Sequence, residues 1–94
     1  MENEKFVFFS DPCHGWIRVK KTLLEALGIA ERITPYSYEN GEYAYLEEDC
    51  DASLFCDTWE KVNGQKIQFE TSVCNGSSGI RRFASYQASS KIAQ

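Results

Sequence analysis

Apolar and polar residues alternate in two neighbouring stretches near the start of the chain. Residues 5–10 (Lys-Phe-Val-Phe-Phe-Ser) are rich in aromatic and β-branched side chains and stop at Asp11-Pro12, where proline disfavours helix in the residue before it. Residues 16–20 (Trp-Ile-Arg-Val-Lys) alternate again after a short loop. The pattern predicts an antiparallel hairpin over residues 5–20.

After this hairpin the period of the apolar residues changes from two to three or four. The residues at helical spacing are Leu23, Leu24, Leu27 and Ala30. Thr22 and Glu25 have the spacing of a capping box, so a short helix is predicted over residues 21–27. Gly28 is expected to end it in a left-handed conformation, with one further turn over residues 29–33.

A second hairpin is predicted around Asn40-Gly41. The flanking residues 36–39 and 42–46 are rich in tyrosine and β-prone. Asn-Gly between two such runs indicates a type I′ turn, because both central residues of that turn need positive φ.

An acidic run then leads into a second helical pattern. The apolar residues on one face of that helix are Ala52, Phe55, Trp59 and Val62. Asp49 or Asp51 is the expected N-cap, and Gly64 is expected to end the helix. Residues 66–73 alternate once more and predict a fifth strand.

The end of the chain carries weaker signals. Residues 80–86 predict a short strand or a docked turn, and residues 87–94 are small and polar enough to form a frayed tail. Together the elements predict one α+β domain over residues 1–94, with an antiparallel sheet in ββ-α-ββ-α-β order and its helices on one face.

The composition of the chain indicates the size of its core and gives its net charge. Apolar residues make up 43% of the 94 residues and aromatic residues 14%, which suffices for one modest core. The net charge of −4 disfavours direct binding to nucleic acid or anionic lipid. All the acids lie in residues 1–73, whereas residues 74–94 carry three bases and no acid.

The chain shows neither an apolar run of membrane length nor an export signal at its start, so we expect a cytoplasmic protein with no membrane partner. Its four cysteines are then expected to be reduced, with Cys56 and Cys74 filling the core.

Few residues suggest catalysis. His14 is the single histidine, and Cys13 beside it points the other way if both lie on a strand. The cysteines lack the paired spacing of a zinc site, and the acidic run lacks the spacing of a calcium loop. We therefore predict no catalytic residue, no metal site and no cofactor.

Two charged clusters are candidate binding residues. The predicted partner-binding residues are Glu47, Glu48, Asp49, Asp51, Tyr43 and Tyr45. The same acids could instead cap the second helix and face solvent, or hold a divalent cation. Arg81 and Arg82, after a glycine- and serine-rich stretch, could contact an anion, although a plain loop is the simpler interpretation.

Three stretches carry a resemblance. Residues 11–16 (Asp-Pro-Cys-His-Gly-Trp), 36–38 (Tyr-Ser-Tyr) and 45–52 (Tyr-Leu-Glu-Glu-Asp-Cys-Asp-Ala) resemble small proteins of bacteriophages, prophages and plasmids, a group without an assigned activity. The resemblance covers most of residues 6–83 and implies a context of mobile genetic elements, whose accessory proteins often bind host proteins.

The leading hypothesis is a non-enzymatic accessory protein that binds a host protein, such as a defence or nucleic-acid-binding protein, through its acidic, tyrosine-rich surface. The alternatives are a small hydrolase or nucleotide- or metal-binding protein that uses His14 and the acidic cluster, and a structural or assembly component. A cleft that joins His14 to the acids would favour the enzyme, and a flat acidic face would favour the binding protein.

Overall fold

A six-stranded mixed sheet organises the chain. The computed structural model describes residues 5–12, 14–74 and 79–87. Within them the strands are β1 (Lys5–Ser10), β2 (Gly15–Lys20), β3 (Tyr38–Asn40), β4 (Tyr43–Glu47), β5 (Gln68–Val73) and β6 (Ala84–Ser85). The helices are α1 (Lys21–Ala26) and α2 (Ala52–Asn63), with 3₁₀ turns at Ala30–Arg32 and Gly79–Arg82.

The strand order is β5-β1-β2-β4-β3-β6. The chain is thus α+β, but the predicted antiparallel sheet in ββ-α-ββ-α-β order is wrong in two respects. β5 pairs with β1 in parallel, and a sixth strand, β6, pairs with β3. Both pairings join strands that are distant in sequence, which local patterns do not encode.

The main core lies between one face of the sheet and the helices. Alternation along β2 and β4 directs Ile17 and Leu46 to this face, where they are buried together with Leu24 of α1. Phe55 and Trp59 of α2 meet the ring of Phe6 edge to face, with centroid distances of 5.2 and 5.7 Å. Both helices contribute to this cluster.

The opposite face of the sheet is partly covered by the segment 79–83. Trp16, Tyr45 and Ile80 form a second buried cluster there, and the ring of Phe83 packs on Tyr45 at 5.0 Å. β2 is therefore covered on both faces near its start. The docked turn predicted at residues 80–86 supplies this cover, followed by β6.

Two local predictions are corrected by the backbone. Asn40 pairs with Tyr43, so the loop of the second hairpin is Gly41-Glu42 and not Asn40-Gly41. Only Gly41 has positive φ there, which excludes a type I′ turn. α1 begins after Lys20 without a side-chain cap, so the predicted capping box does not form.

The fifth predicted strand is present as β5, which is exposed along its whole length at the sheet edge beside β1. Two residues predicted to be buried, Val62 and Cys74, are exposed. Val62 is 66% exposed, because the last turn of α2 contributes nothing to the core. Cys74 is exposed after β5, and Cys56 is half-buried; no disulfide joins the described cysteines.

The predicted tail lies largely outside the described residues. Gln87 still donates its backbone N–H to Glu39 Oε1, and Tyr86 before it is buried with its hydroxyl donating to the carbonyl of Ala30. No helix of the described residues has the length and apolar character needed to cross a lipid bilayer.

Gly15, the first residue of β2, provides a steric test of the fold. A Cβ at this position would overlap the Phe8 ring and the Glu48 carboxylate. The half-buried Phe8 ring would have to move, so Gly15→Ala should lower the free energy of unfolding by about 1–3 kcal/mol in urea titration. Gly79→Ala, which meets no atom within 4 Å, should change it by less than about 0.5 kcal/mol. Equal effects would contradict the close approach at Gly15.

Candidate functional site

A cleft of about 370 Å³ opens where β2 begins and β4 ends. The register of these strands places Trp16 opposite Glu47 at its base. The cleft is lined by His14, Trp16, Tyr36, Tyr38, Glu47, Asp49, Cys50 and Arg81. Aromatic rings and acidic groups thus share one concave site, the composition typical of a binding pocket.

One wall of the cleft is held by the ion pair of Asp11 with Arg81. The Asp11 carboxylate is buried and accepts from Arg81 Nε at 2.9 Å and from Nη2 at 3.2 Å. It also accepts the backbone N–H of His14, which closes the β1–β2 loop. This two-pronged geometry fixes the 3₁₀ turn Gly79–Arg82 against that loop.

The opposite wall is held by Asp51, the residue before α2. Its buried carboxylate accepts the backbone N–H and the hydroxyl of Thr34, and the hydroxyl of Ser37. Asp51 does occupy the N-cap position, but its side chain caps no amide of α2. It instead fixes residues 34–37, which carry Tyr36 and lead into Tyr38.

Glu47 lies between the two walls and is 8% exposed. Its Oε1 accepts the backbone N–H of Asp49 at 2.9 Å. No lysine or arginine of the described residues forms an ion pair with it. Because burying a carboxylate without a counter-charge is unfavourable, Glu47 is the least satisfied acid of the site.

Trp16 forms the floor of the cleft between charged and aromatic groups. Its ring stacks on His14 at 5.9 Å, and the Arg81 guanidinium lies 5.6 Å from its centroid. Its Nε1 is buried and is the one such side-chain nitrogen or oxygen atom of the described residues without a hydrogen-bond partner. Such an orphan buried donor is uncommon in a folded protein.

The cleft contains a thiol and an imidazole, but neither is set up for nucleophilic catalysis. Partial desolvation, a hydrogen bond with Glu47 and nearby carboxylates raise the pKa of the Cys50 thiol, which disfavours the reactive thiolate. Nδ1 of His14 lies 2.8 Å from Arg81 Nη2. Since a guanidinium can only donate, the Nδ1 lone pair is already used.

The predicted partner-binding residues separate in the structure. Glu48 and Asp49 are exposed, and Tyr43 is half-buried. Glu47 and Asp51 are buried by the interactions described above, and Tyr45 is buried under Phe83. The six residues therefore do not form one exposed surface.

The two predicted anion contacts also differ from each other. The Arg81 guanidinium is neutralised by Asp11, whereas Arg82 is exposed, so anion binding stays a prediction for Arg82 alone. The described residues contain no group of three acids, cysteines or histidines suited to a metal ion.

The sequence pattern missed Trp16 as a cleft residue, whereas Tyr36 and Tyr38 belong to the tyrosine-rich stretch that it suggested for a contact surface. Period-two alternation does place Trp16, Tyr38 and Glu47 on one sheet face once the pairing of β2, β4 and β3 is known. The missing information was that pairing and the docking of Arg81 from the end of the chain.

Comparison with known proteins identified no relative of this chain. No protein family matches the chain, and neither a curated protein nor a solved structure does. The geometry of the cleft is therefore the basis for the function proposed below.

Asp51 provides the first test of the site. Asp51→Ala would leave the donors of Thr34 and Ser37 without their acceptor, so we expect a loss of about 2–4 kcal/mol in the free energy of unfolding. Asp49→Ala removes an exposed acid and should change it by less than about 0.5 kcal/mol. Chemical unfolding of both variants measures the difference. An equal loss of unfolding free energy in the two variants would show that the hydrogen bonds of Asp51 do not stabilise this part of the fold.

Cys50 provides the second test. Because its thiol pKa is raised, alkylation by iodoacetamide should be slow at neutral pH and accelerate as pH rises, and Glu47→Gln should speed it. Burial and nearby acids raise the pKa of Cys56 to about 11, and Asp57→Asn should speed the reaction of Cys56 without affecting Cys50. Peptide mass spectrometry follows each site, and an unchanged Cys50 rate in Glu47→Gln would contradict their coupling.

Proposed function

We propose that the chain is a non-enzymatic interaction protein whose cleft accepts a basic side chain, arginine or lysine, from a partner protein. The observation that carries the proposal is Glu47, a buried carboxyl group that lines an aromatic cleft without a counter-charge among the described residues. A cation from a partner would supply that counter-charge.

The rings around Glu47 fit the same ligand. Cations bind favourably over the faces of tyrosine rings, and Tyr36 and Tyr38 line the cleft, whereas the ring of Trp16 is already covered by His14 and Arg81. Tyr36 is 71% exposed, as a side chain that meets a partner would be before binding.

The charge outside the cleft supports approach of a basic partner. Asp49 is exposed at the rim of the cleft, Glu48 before it in the chain is also exposed, and the whole chain carries a net charge of −4. Such charges raise association rates more than they raise affinity. The partner we propose is a host protein with a basic surface, in keeping with the resemblance to proteins of mobile elements.

The hydrolase alternative has one observation in its favour, because His14 shares the cleft with Glu47 and Asp49. The contact between Arg81 and His14 argues against this alternative. Arg81 occupies Nδ1 of His14, so the hydrogen of the neutral ring is on Nε2, and the ring has no lone pair left to accept a proton.

Titration with N-acetyl-arginine amide, followed by NMR, tests the proposal. The two indole N–H signals belong to Trp16 in the cleft and Trp59 in the core, so the second is an internal reference. We expect the Trp16 signal to shift with saturation and the Trp59 signal to stay in place. N-acetyl-citrulline amide, which has the same shape without the charge, should bind at least roughly tenfold more weakly.

Two variants are compared in this titration, one that changes Glu47 and one that serves as a control. Glu47→Gln should abolish the preference for arginine over citrulline, whereas Asp57→Asn removes an exposed acid of α2 and should leave it intact. Equal binding of the two ligands by the unmodified protein, or a preference that survives Glu47→Gln, would contradict the proposal.

A further inference from the structure

A second cavity, of about 470 Å³, lies at the other end of β2. The pairing of β1 with β2 stops at Val7 opposite Arg18, and the cavity opens beyond this pair. Thr22, Leu23 and Ala26 of α1 line it together with Tyr43 of β4. It shares no residue with the cleft around Glu47.

The charge of this cavity is opposite to that of the protein. Among the residues that the structure describes, its lining includes Lys5, Arg18 and Lys20 and no acid. Among the described residues, none of these three cations forms an ion pair with a carboxylate, whereas Lys21 next to them pairs with Glu39 at 3.3 Å. Three cations that have no ion pair within the described part of this acidic chain surround one concavity, which favours an anionic ligand.

Arg18 is held in place before any ligand arrives. Its guanidinium lies 4.9 Å from the Tyr43 ring centroid and 5.6 Å from that of Phe9. These contacts hold the guanidinium against two rings, and an arginine stacked on aromatic groups can still donate its N–H groups to a phosphate. Little conformational freedom of Arg18 would therefore be lost on binding.

The lining combines this charge with apolar surface. Phe6, Val7, Leu23 and Ala26 contribute side chains to the same cavity, and Tyr43 contributes a ring. An inorganic ion would use the cations and leave the apolar surface wet. A ligand with a phosphate group and an organic portion would use both, and the volume is within the range of small-molecule sites, roughly 300–1,000 Å³.

We propose that this cavity binds a phosphorylated organic molecule of nucleotide size, with its phosphate held by Lys5, Arg18 and Lys20. The site is independent of the cleft and of the proposed binding of a partner protein. Its ligand is defined by two features, a phosphate with more than one negative charge and an apolar or planar portion.

Calorimetric titration with AMP, adenosine and inorganic phosphate separates these features. We expect AMP to bind and adenosine, which lacks the phosphate, to show no binding. Inorganic phosphate should compete with AMP but bind at least roughly tenfold more weakly, because it cannot use the apolar lining. Absence of AMP binding at millimolar concentration, or equal affinity for AMP and phosphate, would overturn the proposal.

Variants locate the site. Lys20→Gln, at an exposed position, should weaken AMP binding by roughly tenfold, and Arg18→Gln should weaken it at least as much. Lys61→Gln removes an equal charge from the exposed surface of α2 and should have no effect. The same loss of AMP affinity in all three variants, or no loss in Lys20→Gln, would overturn the assignment to this cavity.

An oligonucleotide tests the class of the ligand. A dT10 oligonucleotide that bound at least tenfold more tightly than AMP would show that the site serves nucleic acid and would overturn the proposal of a small-molecule ligand.

Discussion

The Asp51 carboxylate is the interaction on which the arrangement of the cleft depends. It receives donors from Thr34 and Ser37, and the Ser37 hydroxyl in turn accepts the backbone N–H of Glu47. One buried acid thereby joins the start of α2, the segment 34–37 and the end of β4. The tyrosines of one cleft wall and the carboxyl group at its base take their positions from this set of hydrogen bonds.

The three buried acids of this region differ in what satisfies them. Asp11 has the Arg81 guanidinium, and Asp51 has three neutral donors from Thr34 and Ser37. Glu47 has one backbone N–H and a thiol neighbour. Two acids thus hold the walls of the cleft, and the third is the one that we propose to bind a partner's cation. A group that is poorly satisfied in the folded protein reduces stability, and such groups concentrate at functional sites.

The local pattern predicted the elements better than their assembly. The hairpin of β1 and β2, the helices and the left-handed glycines at Gly28 and Gly64 follow from periodicity and turn chemistry within a few residues. The parallel pairing of β5 with β1 and the burial of Glu47 and Asp51 depend on contacts between distant segments. An acidic run next to a helix suggests that its acids cap the helix and face solvent. Asp51 is buried instead, because it accepts hydrogen bonds from Thr34 and Ser37, which lie 17 and 14 positions away in the chain.

We propose that the buried carboxylate of Glu47 serves binding and reduces stability, and the unfolding free energy of Glu47→Gln tests this proposal most directly. Glutamine keeps the shape and an oxygen that can accept from the Asp49 backbone, but it removes the buried charge. We expect this variant to unfold in urea at the same or a higher denaturant concentration than the unmodified protein. A loss of more than about 1 kcal/mol would show that the carboxylate is already satisfied within the fold, and would contradict the proposal.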